Sequence, residues 1–135
     1  MSNLFRVIAI DDSQTSLDFL KRTLDKDRFD LVATAHDGKD LISLFDQYHP
    51  HLVFLDIQME NSGLDALKQL MKQAPDAHVI MVTSVNDEEY IRQALEVGAA
   101  GFVIKPYDKE TLTTILDAAI KFIAEGFNLS DKTAD

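Results

Sequence analysis

Residues 52–63 read LVFLDIQMENSG, and the way this stretch begins and ends decides the fold. Leu52, Val53, Phe54 and Leu55 form a short apolar run, the pattern of a strand covered on both faces. The run stops on Asp56, a group that is costly to remove from water without a partner. Behind it comes a loop holding Glu60, Asn61 and Gly63. A core strand that ends on a carboxylate directs attention to what the other strands bring to the same edge.

Working outward, strand-like and helix-like patterns alternate five times. The predicted strands are Phe5–Ile10, Leu31–Ala35, Leu52–Leu55, His78–Thr83 and Gly101–Ile104, each short and rich in Val, Ile, Leu or Phe. Between them, Leu17, Leu20 and Leu24 share one helical face, as do Leu41, Leu44, Phe45 and Tyr48. Leu64, Leu67 and Met71 form the third stripe, and Ile91, Ala94 and Leu95 the fourth. Leu112, Ile115, Leu116, Ala119, Ile120 and Ile123 follow the i, i+3, i+4, i+7 stripe of a final helix. Ser13 and Asp108 are suited to cap helix starts, and Gly98 to end the fourth helix. Five βα units without a long linker predict an α/β fold, an open, doubly wound parallel sheet with helices on both faces. The expected division is one domain over 1–127 and a short polar tail over 128–135.

Composition narrows the function. The 135 residues include 13 basic and 23 acidic side chains, for a formal charge of −10. That balance argues against a nucleic-acid backbone or an anionic membrane surface as direct partner. The absence of cysteine removes disulfides, cysteine nucleophiles and thiolate metal sites. The start MSNLFRVIAIDD has a short apolar run closed by two aspartates, unlike a signal peptide, and no segment has the length of a bilayer span. These features predict a cytoplasmic protein. The four histidines, His36, His49, His51 and His78, are scattered beside strands and read as surface or loop residues.

In a doubly wound sheet, functional groups gather beyond the carboxyl ends of the strands. There strand 1 supplies Asp11 and Asp12, strand 3 supplies Asp56, strand 4 supplies Thr83 and Ser84, and strand 5 supplies Lys105 before Pro106. Clustered carboxylates repel unless a cation balances them. An oxygen-only donor set suits Mg²⁺, which takes a few carboxylates and completes its shell with water and phosphate oxygens. A carboxylate beside Mg²⁺ and a lysine is equipped to accept a phosphoryl group as an acyl phosphate.

The strings VIAIDDS, LVFLDIQM, VIMVTS and GAAGFVIKPY, in this order and register, resemble the receiver domain of bacterial two-component response regulators, in its CheY-like, single-domain form. The resemblance runs from about Phe5 to Glu125 and implies the flavodoxin/CheY-like sheet order 2-1-3-4-5. It implies that Asp56 is the phosphoacceptor, that Asp12 ligates Mg²⁺ directly and Asp11 through water, and that the backbone carbonyl of Gln58 is a further ligand. Thr83 and Lys105 would bind the phosphoryl oxygens, and the Lys105–Pro106 bond would be cis. Phe102 matches the switch aromatic that follows Thr83 inward, carrying the change to the face formed by helix 4, strand 5 and helix 5. The implied partners are a histidine kinase or histidine phosphotransfer protein upstream and a protein effector downstream, with the chain a monomer or weak dimer. The chain is expected to be no enzyme, but a phosphoacceptor that assists its own phosphorylation and dephosphorylation.

Three positions depart from the family pattern. Glu60 stands where a proline is usual, and Phe102 lacks the hydroxyl of the commoner tyrosine. Val85, two positions after Thr83, is apolar and is expected to slow loss of the phosphoryl group. Gly63 is expected to serve the loop by adopting unusual backbone angles. An aspartyl-phosphate phosphatase of the haloacid dehalogenase type would need an aspartate where Gln58 stands, and a cap domain. A flavodoxin-like FMN carrier would need a hydroxyl- and glycine-rich loop after strand 1. A pseudo-receiver serving only as an interaction domain sits poorly with the complete acidic set. The remaining alternatives are the receiver half of a longer regulator, although Met1 and the whole last helix point to a complete small protein, and a phosphorelay intermediate or phosphate sink.

Overall fold

A computed structural model describes residues 4–57, 63–84 and 88–124. Five parallel strands form one sheet: β1 (Phe5–Ile10), β2 (Phe29–Ala35), β3 (Leu52–Asp56), β4 (Val79–Thr83) and β5 (Gly101–Ile104). Their order is β2-β1-β3-β4-β5, so the chain reverses direction across the sheet between β1 and β3. Five α-helices connect and cover them: α1 (Gln14–Thr23), α2 (Leu41–Tyr48), α3 (Gly63–Gln73), α4 (Glu88–Val97) and α5 (Lys109–Ala124). This is the predicted fold and strand order.

Strand alternation divides the core into two layers. Val7, Ala9, Leu52, Phe54, Ile80, Val82 and Val103 face one side, where Leu17 and Leu20 of α1 and Leu112, Leu116 and Ala119 of α5 cover them. Ile8, Ile10, Val53, Leu55, Val79 and Met81 face the other, under Leu41 of α2, Leu64, Leu67 and Leu70 of α3 and Ala94 of α4. The central strands β3 and β4 are buried at every position, which is why they read as continuous apolar runs.

The helix boundaries follow local chemistry. Ser13 Oγ accepts the Ser16 N–H at 3.2 Å to cap α1, and Asp108 Oδ1 accepts the Thr111 N–H at 2.8 Å to cap α5. Gly98 ends α4 with φ +130°, its N–H donating to the carbonyl of Ala94 at 3.1 Å.

Three strand limits and the placement of Leu95 differ from the sequence expectation. β2 starts at Phe29 rather than Leu31, because Phe29 pairs with Phe5 and is buried although charged residues surround it in sequence. β3 extends to Asp56, which pairs with Val82, while β4 begins one residue later, at Val79. Leu95 is 41 % exposed rather than part of the core stripe: α4 turns Ile91 and Ala94 inward, and Leu95 lies past the edge of that face. His51 and His78 are loop residues, as expected, but half-buried; His51 Nδ1 accepts the Arg6 backbone N–H at 2.8 Å.

Candidate functional site

At the end of β1 the backbone runs one residue past the strand, the Asp11 N–H donating to the Ala35 carbonyl at 3.0 Å. Asp11 then turns the chain with its own side chain, Oδ1 accepting the Ser13 N–H at 2.9 Å. Its other oxygen, Oδ2, lies 2.6 Å from the Lys105 ammonium. Asp12 is exposed on the rim of the same edge.

Asp56 ends β3 and is held by ladder hydrogen bonds on past its own position, since the Ile57 N–H donates to the Val82 carbonyl at 2.9 Å. Its Oδ2 lies 3.5 Å from Lys105 Nζ. Asp11, Asp56 and Thr83 are 6 %, 5 % and 1 % exposed, so the two carboxylates and the hydroxyl are held where polar groups need partners. Lys105 leaves β5 through a cis peptide bond to Pro106, as expected, and its backbone N–H donates to the Thr83 carbonyl at 2.7 Å.

One carboxylate oxygen each from Asp11, Asp12 and Asp56 lies within 4.8 Å of the others. Asp11 and Asp56 face the Lys105 ammonium and Asp12 adds a third carboxylate beside them, so among the described residues the edge carries surplus negative charge that a hard divalent cation would balance. The donor set is all oxygen and fits Mg²⁺ rather than a metal that prefers nitrogen or sulfur. The structure thus brings Asp11, Asp12, Asp56, Thr83 and Lys105 to one edge, as their sequence positions predict. Gln58, Glu60, Asn61 and Val85 lie outside the described residues.

Phe102 of β5 is half-buried and packs on the layer under α3 and α4. Met81 pairs with Phe102 and Thr83 with Ile104, which puts Thr83 and Phe102 on the same face of the sheet, diagonally adjacent.

Two residues matter in ways the sequence did not reveal. Tyr107, two positions after Lys105, stacks edge-on against Phe19 of α1 with ring centroids 5.3 Å apart. Burial, and then the negative charge of Asp11, push its hydroxyl up to about 12. With Ser16, Phe19, Arg22 and Lys105 it lines a pocket of about 480 Å³ beside the acidic edge. An aromatic near the lysine was visible in sequence, but its seat against α1 was not. Gly63, second, does not have the unusual backbone angles expected of it; among the described glycines only Gly98 has positive φ. What makes glycine necessary at 63 is space. A Cβ there would collide with the carbonyl oxygen of Asp56 and stand 2.9 Å from the Cα of Ile57.

The chain belongs to the response regulator receiver domain family, whose model matches residues 7–117. The chemotaxis protein CheY of Listeria monocytogenes is 30 % identical over 119 residues, covering 87 % of this chain and all of that protein. The transcriptional regulatory protein DegU of Brevibacillus brevis is 31 % identical over 126 residues, covering 92 % of this chain but 52 % of DegU. The chain therefore spans about half the length of curated relatives such as DegU. Among solved structures, a CheX–CheY–BeF₃–Mg²⁺ complex from Borrelia burgdorferi has a chain that superposes with a TM-score of 0.81 at 26 % identity, covering 86 % of this chain and 89 % of that one. This is a CheY-like receiver domain of two-component signalling, a family whose general role is that of a phosphorylation switch and whose members generally bind Mg²⁺ through acidic residues.

Proposed function

We propose that this chain is a phosphorylation-activated signalling switch that takes a phosphoryl group on Asp56 from a phosphohistidine of a kinase or phosphotransfer protein. The observation that carries the proposal is the Lys105 ammonium, 2.6 Å from Asp11 and 3.5 Å from Asp56 at an edge where three carboxylates converge. Mg²⁺ would be held by Asp12 and Asp56, with support from Asp11 and the Gln58 carbonyl, and would neutralise charge on the phosphoryl oxygens.

The chain's own residues supply the rest. An Asp56 carboxylate oxygen attacks phosphorus as the P–N bond of the donor breaks, its electron pair leaving with the donor imidazole. The product is an acyl phosphate. Lys105 and the Thr83 hydroxyl receive the phosphoryl oxygens, and water later cleaves the acyl phosphate to inorganic phosphate and free carboxylate. In this reading the domain is a phosphoacceptor that assists its own modification, acting in the cytoplasm, rather than an enzyme with a diffusing substrate.

The output face is that of α4, β5 and α5, where Phe102 is half-buried and Tyr90 and Leu95 are 44 % and 41 % exposed. Large apolar side chains left in water on one helix suit a protein effector. No helix of the described residues is long and apolar enough to cross a membrane. A second reading, favoured by the half-length match to DegU, makes this the receiver portion of a longer regulator, with the same chemistry at Asp56.

The test is incubation with Mg²⁺ and acetyl phosphate followed by intact mass measurement. One added phosphoryl group on the wild type, absent from Asp56→Asn, is the expected result. No adduct, or an adduct that survives Asp56→Asn, would overturn the reading.

A further inference from the structure

We infer that Gly63 is a positioning residue for the phosphoacceptor: the bare Cα at the start of α3 is seated against the backbone of Asp56 and fixes where its carboxylate stands. The inference rests on the reading of Asp56 given above and extends it to a residue that supplies no functional group.

The geometry leaves no room for a side chain. A Cβ at 63 would collide with the Asp56 carbonyl oxygen and lie 2.9 Å from both the Asp56 carbonyl carbon and the Ile57 Cα. All of these are backbone atoms, so no rotamer change relieves the contact. Something larger has to move, and the two sides are not equally free. α3 is anchored by Leu64, Leu67 and Leu70, which are 5 %, 0 % and 0 % exposed, and withdrawing the helix would open the core beneath them. On the other side, β3 is in register with β1 only through Leu55; Asp56, its last residue, pairs with Val82 of β4, and the Ile57 N–H still donates to the Val82 carbonyl at 2.9 Å, so a push on the Asp56 backbone is taken up at the β4 side of the strand end. A wedge at 63 therefore acts on the end of β3. That end carries the carboxylate that faces Lys105 at 3.5 Å and converges with Asp11 and Asp12.

Metal ligands and reacting carboxylates respond steeply to such shifts; loss of an outer support typically costs about 10- to 100-fold in metal affinity or rate. The expectation for Gly63→Ala is thus a loss of about 10- to 100-fold in both Mg²⁺ affinity and the rate of phosphorylation by acetyl phosphate. Ala66→Gly is the control: it weakens the same helix at a buried position without adding an atom near Asp56.

The experiment measures unfolding stability, the Mg²⁺ midpoint by calorimetry and the phosphorylation rate by intact mass, for wild type and both variants. Support requires that Gly63→Ala shift the Mg²⁺ midpoint and slow phosphorylation while it remains folded, and that Ala66→Gly lose stability but keep both values. A purely structural glycine would move stability alone, and that result overturns the inference. Should Gly63→Ala not fold, the wild type decides: on Mg²⁺ titration followed by NMR, the Gly63 amide is expected to shift with the midpoint seen for Asp12 and Asp56. An amide at 63 that stays still would also overturn it. A wild type that takes neither Mg²⁺ nor phosphate instead defeats the reading of Asp56 itself, so the two failures are told apart.

Discussion

The Lys105 backbone N–H donates to the Thr83 carbonyl at 2.7 Å, tying together at the main chain the two residues whose side chains are proposed to receive the phosphoryl oxygens. This bond does not involve the threonine hydroxyl. Thr83→Ala should therefore leave Lys105 where it is and Asp56 able to accept a phosphoryl group. What it removes is the group that phosphorylation would draw on, from the face of the sheet that Thr83 shares with Phe102. The expected outcome is phosphorylation within about tenfold of the wild-type rate, a stability change of about 1–2 kcal/mol, and no response at Phe102. The check is the change in the Phe102 ring resonances on phosphorylation. A Phe102 response in Thr83→Ala equal to that of the wild type would sink the coupling.

Lys105 has two opposed effects that one substitution separates. Its ammonium balances Asp11 and Asp56, yet the same charge opposes a divalent cation at those carboxylates. Lys105→Met keeps most of the apolar stem and deletes the charge. Mg²⁺ binding should tighten a few-fold, by about 1 kcal/mol, because a cationic competitor is gone. Phosphorylation should nonetheless slow by about 10²- to 10³-fold, since a donor to the developing phosphoryl charge has been lost. Calorimetry and intact mass together check this; weaker Mg²⁺ binding in Lys105→Met would contradict the first half.

Acid should weaken the fold through two histidines far from the acidic edge. Burial, then the charge of Arg6, hold His51 below its ordinary 6.5. Burial likewise lowers His78, opposed by Asp76. For each, the unfolded chain takes up a proton at higher pH than the folded one does. The stability they contribute is complete above pH 6.5 and falls as pH drops from 6.5 toward the lowered folded value. The His51 geometry agrees in direction, since protonating Nδ1 would also delete the acceptor of the Arg6 N–H. Denaturant midpoints measured from pH 7.5 down to 5 should decline, and His78→Gln should decline less steeply. An identical slope in that variant would count against the assignment.

How far the sequence carries depends on whether a feature is local. β1 and β5 lie at their predicted limits, and the five site residues meet where strand ends must meet, because alternation of strand and helix forces the topology. Periodicity does not reach Phe29 as the first residue of β2, because only its partner Phe5, on another strand, makes it one. The role of Arg6 is hidden for the same reason: its guanidinium donates to the carbonyl of His49, at 2.7 Å, across the end of α2. The reason for glycine at 63 is hidden as well, since a close approach between two backbones leaves no mark in composition. Sequence periodicity reports which face is apolar; it does not report what stands a few ångströms away.

Gly98 allows a test of conformation against contact. Its φ of +130° lies where side chains are rarely accommodated, and a Cβ there would also stand 2.9 Å from Met71 Cε on α3. The two costs have different remedies. Methionine is flexible, so its terminal methyl can yield at little expense. The backbone conformation cannot yield, because the N–H groups of Gly98 and Ala99 both donate to the Ala94 carbonyl, at 3.1 and 3.0 Å, and close the end of α4. Gly98→Ala should therefore cost about 1–3 kcal/mol, nearly all of it conformational strain. Adding Met71→Ala should not recover that loss, and the coupling between the two substitutions should stay below about 0.5 kcal/mol. Denaturant unfolding of the wild type, both single variants and the double variant measures it. Recovery of most of the loss in the double variant would show that crowding against Met71, rather than the backbone, demands the glycine.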